Sequence, residues 1–116
     1  MAISNMPRIG VMQMPRIGVM QMLDTLEAGG AEQVAITIAN HLPRGRYDSY
    51  LCTTRREGPL AGSIAADVGR LRLARKHSLD PAALARLVRF VQDRQIKIVH
   101  AHGSTVFLAK IGRAHV

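Results

Sequence analysis

The run GGAE at residues 29–32 is the first of two motifs whose residue types suit ligand binding or catalysis. It lies between an apolar run and an amphipathic run, an order typical of a strand, a glycine turn and a helix. A helix start presents unpaired N–H groups and the positive end of the helix dipole, and both favour anions. Because Gly29 and Gly30 have no Cβ atom, a phosphate can approach their backbone closely. The run predicts either a phosphate or sugar-phosphate site or a simple turn, and it lacks the spacing of a Rossmann motif or a P-loop.

The run HAHG at residues 100–103 is the second motif. Side chains alternate along a strand, so His100 and His102 are expected to share one face. A metal site needs a third ligand, and no carboxylate follows nearby, so we predict no metal site here. We interpret His100 as a hydrogen-bonded core residue. His102 lies at the carboxyl end of the predicted strand, where its position fits a ligand-contacting ring and a structural ring equally well.

Alternating strands and helices must position these motifs. Apolar and periodic runs predict strands at 16–23, 48–54, 69–74 and 96–101, and helices at 31–42, within 59–67 and at 81–95. Asp80 and Pro81 are typical of a helix start, as N-cap and first helical residue. The alternation predicts an α/β fold: a Rossmann-like three-layer domain with a parallel sheet of about four strands and flanking helices. Ligands of such sheets bind beyond the carboxyl ends of the strands, and both motifs follow such ends.

Residue periodicity also predicts which side chains face the core. The first long helix is predicted to place on one face Ala31, Val34, Ala35, Ile38, Ala39 and Leu42. The last predicted helix has an apolar stripe of Leu84, Leu87, Val88 and Val91. The single cysteine, Cys52, lies in a predicted strand and is interpreted as a small buried residue, which excludes an internal disulfide.

The composition is basic and poor in aromatic residues. The 116 residues are enough for one small domain, with a formal net charge of +8, 3% aromatic residues and no Trp. The charge favours anionic partners, whereas the scarcity of stacking rings argues against nucleic acid. One group of cations forms either a solvated helix face or a contact for anionic lipid: Arg86, Arg89, Arg94 and Lys97. With no signal peptide or membrane helix expected, we predict a cytoplasmic protein that can bind peripherally to the inner membrane face.

Both ends of the chain have unusual sequences. Residues 6–13 and residues 14–21 both read MPRIGVMQ, and residues 110–116 match a translated sequencing adapter. We therefore expect a loose duplicated extension at residues 1–13, a domain at residues 14–109 and a non-native tail at residues 110–116. If the first copy pairs with the sheet, it should do so at an edge. The adapter match predicts that the chain is a truncated fragment.

Three runs together resemble a known family. They are RIGVMQMLDTLEAGGAEQVAITIANHL, YDSYLCTT and IKIVHAHGST, and over residues 16–109 they resemble the N-terminal domain of family-four glycosyltransferases of GT-B fold. The resemblance implies two Rossmann-like domains that face each other across a cleft. The C-terminal domain would hold most of the nucleotide-sugar donor, and the N-terminal domain would bind the acceptor.

The resemblance also implies roles for individual residues. Gly29 and Gly30 would approach the donor diphosphate, His102 would lie at the reaction centre, and we assign Gly103 and Ser104 to the same binding site. Transfer in this family usually retains the anomeric configuration and uses no metal, so the nucleotide sugar is a substrate and no cofactor is expected. Without the donor domain, the fragment should not transfer sugar alone.

Two other functions remain open on the sequence. The first alternative is a small basic module without catalysis that binds nucleic acid or an acidic membrane. The second is a fragment of a sugar-nucleotide epimerase, whose fold is similar to GT-B.

Overall fold

Four parallel strands and two α-helices make up most of the computed structural model, which describes residues 15–106 and 108–110. The elements in chain order are β1 (Ile17–Leu23), α1 (Gly30–His41), β2 (Tyr47–Thr53), a 3-10 turn (Pro59–Ser63), β3 (Gly69–Arg72), α2 (Pro81–Asp93), β4 (Ile96–Ala101) and a 3-10 turn (Gly103–Thr105). The predicted alternation of strands and helices is confirmed.

The sheet has the order β3-β2-β1-β4, and every strand pair is parallel. Helix α1 packs on one face through Ala35, Ile36 and Ala39, which form a cluster with Leu23 and Leu51 of the sheet. Helix α2 contributes Ala83 and Leu87 to a second cluster that includes Met20, Met22 and Cys52. Successive strand residues point to opposite faces, so the two clusters lie on opposite sides of the sheet. The predicted three-layer α/β fold is confirmed.

The interpretation of Cys52 as a buried small residue is confirmed. Its side chain is fully buried in β2, and burial raises the pKa of the thiol to about 12. The thiol therefore stays protonated and unreactive at neutral pH.

The buried face of α1 differs from the predicted one. Val34 is 53% exposed, whereas Ile36 is 5% exposed and packs with Ala35 and Ala39. The helix contacts the sheet mainly through two alanines, whose small side chains permit a close approach, and this rotates the contact face towards Ile36. Hydrophobicity alone ranks Val34 and Ile36 alike, so the direction of this rotation depends on the fit to the sheet.

The buried stripe of α2 is also shifted. Leu87 is buried as predicted, but Ala83 and Phe90 are the other buried residues of the helix, and Leu84, Val88 and Val91 are only half-buried. The Phe90 ring meets Tyr50 edge-on at 5.7 Å, and the Arg94 guanidinium lies 4.6 Å from the centre of the Phe90 ring. These contacts with the sheet and with a cation explain why Phe90 is buried.

The start of α2 agrees with the sequence. Asp80 is the N-cap, and its carboxylate accepts hydrogen bonds from the N–H groups of Ala83 at 3.2 Å and Lys76 at 2.9 Å. Pro81 is the first helical residue.

The short helix predicted within 59–67 is a 3-10 turn at Pro59–Ser63. Strand β3 ends at Arg72, two residues earlier than predicted and before the positive φ of Ala74.

Some predictions fall on parts of the chain outside the described residues. The duplicated extension at residues 1–13 lies within the undescribed segment 1–14, and residues 111–116 of the predicted tail are also outside. Lys110 is described and is helical.

Gly58 lies where the loop after β2 touches the loop after β1. A Cβ atom on Gly58 would lie 2.5 Å from the carbonyl carbon of Leu26 and 2.7 Å from the backbone nitrogen of Glu27. The Leu60 N–H also donates to the Leu26 carbonyl at 2.9 Å. The backbone of Leu26 and Glu27 cannot move aside as the end of a flexible side chain can. The close approach of the two loops therefore requires a residue without a Cβ atom at position 58.

We predict that Gly58→Ala destabilises the protein by about 1–3 kcal/mol, because the new methyl group pushes two loop backbones apart. Gly62→Ala is a matched control, since a Cβ there meets nothing within 4 Å. Urea denaturation of both variants measures the difference. Equal stability of the two variants would show that the Gly58 contact is not tight.

Candidate functional site

The carboxyl ends of the four strands lie at one edge of the sheet because all strands are parallel. The segments that follow them are 24–29, 54–58, 73–80 and the turn that begins at His102. Gly29, Gly30, His102 and Gly103 all lie at this edge, as does the backbone of Ser104, whose side chain is outside the described part. The edge therefore carries all the residues that the sequence assigned to the site.

Gln21 is the direct partner of the His102 ring. It sits in the middle of β1, is 1% exposed, and its Oε1 lies 2.9 Å from Nε2 of His102. In this arrangement a neutral His102 donates its Nε2–H to the amide oxygen, which leaves Nδ1 unprotonated. A polar group that is buried without a partner costs about 1–3 kcal/mol. The contact avoids this cost for the Gln21 amide oxygen and for the His102 ring N–H.

The backbone around His102 is anchored to the end of β1. The His102 N–H donates to the Met22 carbonyl at 2.9 Å. The buried Thr105 hydroxyl shares its one proton between the His102 carbonyl at 2.8 Å and the Met22 carbonyl at 3.1 Å. Gly103 has a φ of +61°, a conformation that residues with a Cβ rarely adopt. The observed role of Gly103 is to turn the chain.

His100 differs from its predicted environment. We expected a hydrogen-bonded core residue, but His100 is exposed, and no hydrogen bond to its side chain occurs within residues 15–106 and 108–110. Its ring lies 4.2 Å from the His102 ring, centre to centre, with an angle of 33° between the planes. The core interpretation is wrong because β4 is an edge strand, and α1 packs on β1 and β2 rather than over β4.

His102 is held towards its neutral state. Burial of the ring, and secondly the neighbouring His100, lower the pKa of His102 below its ordinary value. A neutral imidazole can accept or donate a proton at neutral pH, whereas a charged one only donates. Burial and the neighbouring His100 thus favour a neutral ring, and the Gln21 contact fixes the orientation of that ring at the strand end.

The glycine motif begins α1 as predicted. Gly29 is the extended N-cap, and its carbonyl accepts the Gln33 N–H at 3.0 Å. A Cβ on Gly30 would meet nothing within 4 Å, so the approach to its backbone is open. A Cβ on Gly29 would lie 2.6 Å from Oε1 of Glu32, so this carboxylate sits beside the helix start. An anion that binds at Gly29 must displace the flexible Glu32 side chain.

The two motifs share the edge but do not touch. In the described part of the chain, no hydrogen bond or ion pair joins Gly29 or Gly30 to His102. The end of β1 lies between them, since Leu23 leads into the loop that reaches Gly29, and Met22 accepts the His102 N–H. A ligand with two separated polar groups is required to contact both.

A polar network at the same edge was missed by the sequence reasoning. The Asp24 carboxylate accepts the Thr54 hydroxyl at 2.5 Å and Nη2 of Arg75 at 3.2 Å, and Nε of Arg75 donates to the Thr54 hydroxyl at 3.2 Å. The Arg75 side chain is only 9% exposed. The sequence does contain a signal for such a network. Polar residues such as Gln21 and Asp24 lie within or directly after an apolar run, where an apolar residue would be expected.

Comparison with known families identifies the chain. The family model described as Glycosyltransferase Family 4 matches residues 28–116, which include both motifs. The chain belongs to glycosyltransferase family 4. A search of curated proteins and a search of solved structures each return no match.

Family membership confirms the resemblance stated from the sequence and supports a glycosyltransferase-like function in general.

Two further observations concern residues 15–106 and 108–110 alone. No three His, Cys, Asp or Glu side chains of this part come together as a metal site would require. None of its helices is long and apolar enough to cross a membrane.

We predict that Gln21→Glu raises the pKa of His102 by about 1 or more, because a carboxylate beside the ring stabilises the imidazolium. Gln33→Glu adds the same charge on the exposed side of α1 and should leave this pKa unchanged. NMR titration of the imidazole resonances measures both values.

A second variant covers the case that a buried glutamate prevents folding. Gln21→Leu removes the acceptor, and the imidazole ¹⁵N shifts of His102 should then report a mixture of the two tautomers. Unchanged ¹⁵N shifts in this variant would show that Gln21 does not hold the His102 proton on Nε2.

Proposed function

We propose that this chain is the acceptor-side domain of a glycosyltransferase of GT-B fold. The enzyme would transfer a sugar from a nucleotide-sugar donor to an acceptor, with retention of the anomeric configuration and without a metal or cofactor. The observation that supports this proposal most directly is the contact of the His102 ring with Gln21, at the strand edge that also carries the open start of α1. Family membership supports the general class of reaction.

The residues of the edge have distinct roles in this proposal. The first N–H groups of α1, at Gly29 and Gly30, face the donor diphosphate and stabilise its charge as it leaves. His102 contacts the sugar at the reaction centre, and Gln21 is a positioning residue that orients the ring. Gly103 and Ser104 form the adjacent wall of the binding site. The donor itself is held mainly by a second domain across the cleft.

Peripheral membrane contact at the cytoplasmic face is part of the same proposal. Of the four cations first considered for it, Arg86 donates to the Leu73 carbonyl and Arg94 lies over Phe90. Arg89 and Lys97 are exposed and remain for contact with anionic headgroups.

A transfer assay on the full-length gene product tests the proposed reaction. With labelled nucleotide sugars and a panel of acceptors, we expect His102→Ala to lower kcat/KM by about a hundredfold or more. His41→Ala is the matched control, because His41 lies at the end of α1, where its Nδ1 is 2.8 Å from the Thr37 carbonyl oxygen. Thermal denaturation of both variants separates loss of activity from loss of stability.

The product identifies the reaction class. NMR of the glycoside gives its anomeric configuration, and retention is expected. Interconversion of nucleotide sugars without transfer would instead indicate an epimerase. Absence of transfer from all donors, or equal losses in His102→Ala and His41→Ala, would contradict the proposal.

A further inference from the structure

The His100 ring lies against one face of the His102 ring. The two ring centres are 4.2 Å apart, and the ring planes form an angle of 33°. At this distance and angle the rings overlap face to face, as in the offset-stacked pairs that aromatic side chains favour. One face of the His102 ring is therefore covered by His100, and a ligand can approach only its other face and its edge.

Gln21 contacts the same ring from a second direction. It lies opposite His100 in the register of β1 with β4, and its Oε1 is 2.9 Å from Nε2 of His102. A hydrogen bond at Nε2 alone would leave the His102 ring free to swing about the axis of that bond, and His100 blocks this movement. In the described part of the chain no hydrogen bond reaches Nδ1 of His102, so this atom stays open.

Packing and hydrogen bonding do not explain a histidine at position 100. It is exposed on an edge strand, and within residues 15–106 and 108–110 its side chain makes no hydrogen bond. Ile98, two residues earlier on the same face of β4, is also exposed, at 48%. The one ring contact of His100 in this part of the chain is with His102, so the contribution of His100 is made to that ring.

His100 is also the ionisable neighbour of His102 within the two segments that contact its ring. Strand β1 and residues 98–106 contain no Asp, Glu, Lys or Arg. The acid that directly follows β1, Asp24, is paired with Arg75. A charge on His100 therefore disfavours a second charge on His102. In agreement, the pKa of His102 is lowered by burial first and by His100 second.

We propose that His100 is a positioning residue, which holds the His102 ring in one plane by covering one of its faces. This inference rests on the proposed function, because the ring that His100 aligns is the one assigned to the reaction centre. With Gln21 at the ring edge and His100 on the ring face, Nδ1 of His102 points in a fixed direction. Such alignment acts mainly in the transition state, where the reacting groups must be correctly oriented. His100 itself does not have to touch the substrate.

NMR of the His102 ring in the whole chain is the first test. In His100→Ala we expect the carbon-bound ring protons of His102 to lose the ring-current shift of the stacked imidazole, and ring ¹³C relaxation to show larger motion. The pKa of His102 should rise, because the cover and the like charge are both removed. In His100→Phe a stacked ring remains, so the relaxation should stay close to that of the unchanged protein, and the pKa should rise less.

The transfer assay on the full-length gene product is the second test. His100→Ala should lower kcat about tenfold and change KM by less than about twofold, because alignment is lost without the loss of a substrate contact. His100→Phe should recover most of kcat. Ile98→Ala is the matched control, since it shortens another exposed side chain on the same face of β4, and it should retain kcat. Thermal denaturation of all three variants checks that β4 remains folded.

Each outcome supports or overturns the proposal. Loss of ring order and of kcat in His100→Ala, with recovery of both in His100→Phe, supports it. Unchanged relaxation of the His102 ring in His100→Ala would overturn it, as would equal losses in the alanine and phenylalanine variants or an equal drop of kcat in Ile98→Ala. If the unchanged full-length product transfers no sugar, the proposed function fails, and the relaxation of the His102 ring still decides whether His100 holds that ring.

Discussion

The carboxyl end of β1 holds both sides of the site, because its backbone carbonyls accept hydrogen bonds from loops on either side. Met22 accepts the His102 N–H, and Leu23 accepts the Thr54 N–H at 2.9 Å. Asp24 extends the pattern, since its carbonyl accepts from Arg55 and its carboxylate from Arg75. A buried central strand cannot shift without breaking these bonds, so the turn at His102 and the loops after β2 and β3 keep a fixed relation.

Buried polar side chains link the sheet to the candidate site at its carboxyl edge. Gln21 occupies a central-strand position where an apolar residue would pack without needing a partner, and its amide is directed at the His102 ring. Asp24 and Arg75 likewise bury charge that must be paired to be tolerated. Both contacts serve the same edge of the sheet. Their position indicates that the interior polar groups support the site as well as the fold.

The architecture was predictable from the sequence, and the details of packing were not. The continuous apolar run predicts β1 to within one residue, and Asp80 with Pro81 predicts the start of α2. The choice between Val34 and Ile36 on α1 depends on how closely two alanines approach the sheet. The exposure of His100 depends on which strands the helices cover, and the role of Gln21 depends on the register of β1 with β4, which pairs Gln21 with His100. These are long-range properties that local periodicity does not contain.

We propose that the carboxyl edge of the sheet is a single ligand site. Hydrogen–deuterium exchange of the full-length gene product, with and without a bound nucleoside-diphosphate sugar, tests it most directly. We predict slower exchange at residues 24–30 and 100–106, with no change at residues 43–46 and 94–97 on the opposite edge. Protection at that opposite edge, or unchanged exchange at both carboxyl-edge segments in a saturated complex, would contradict it.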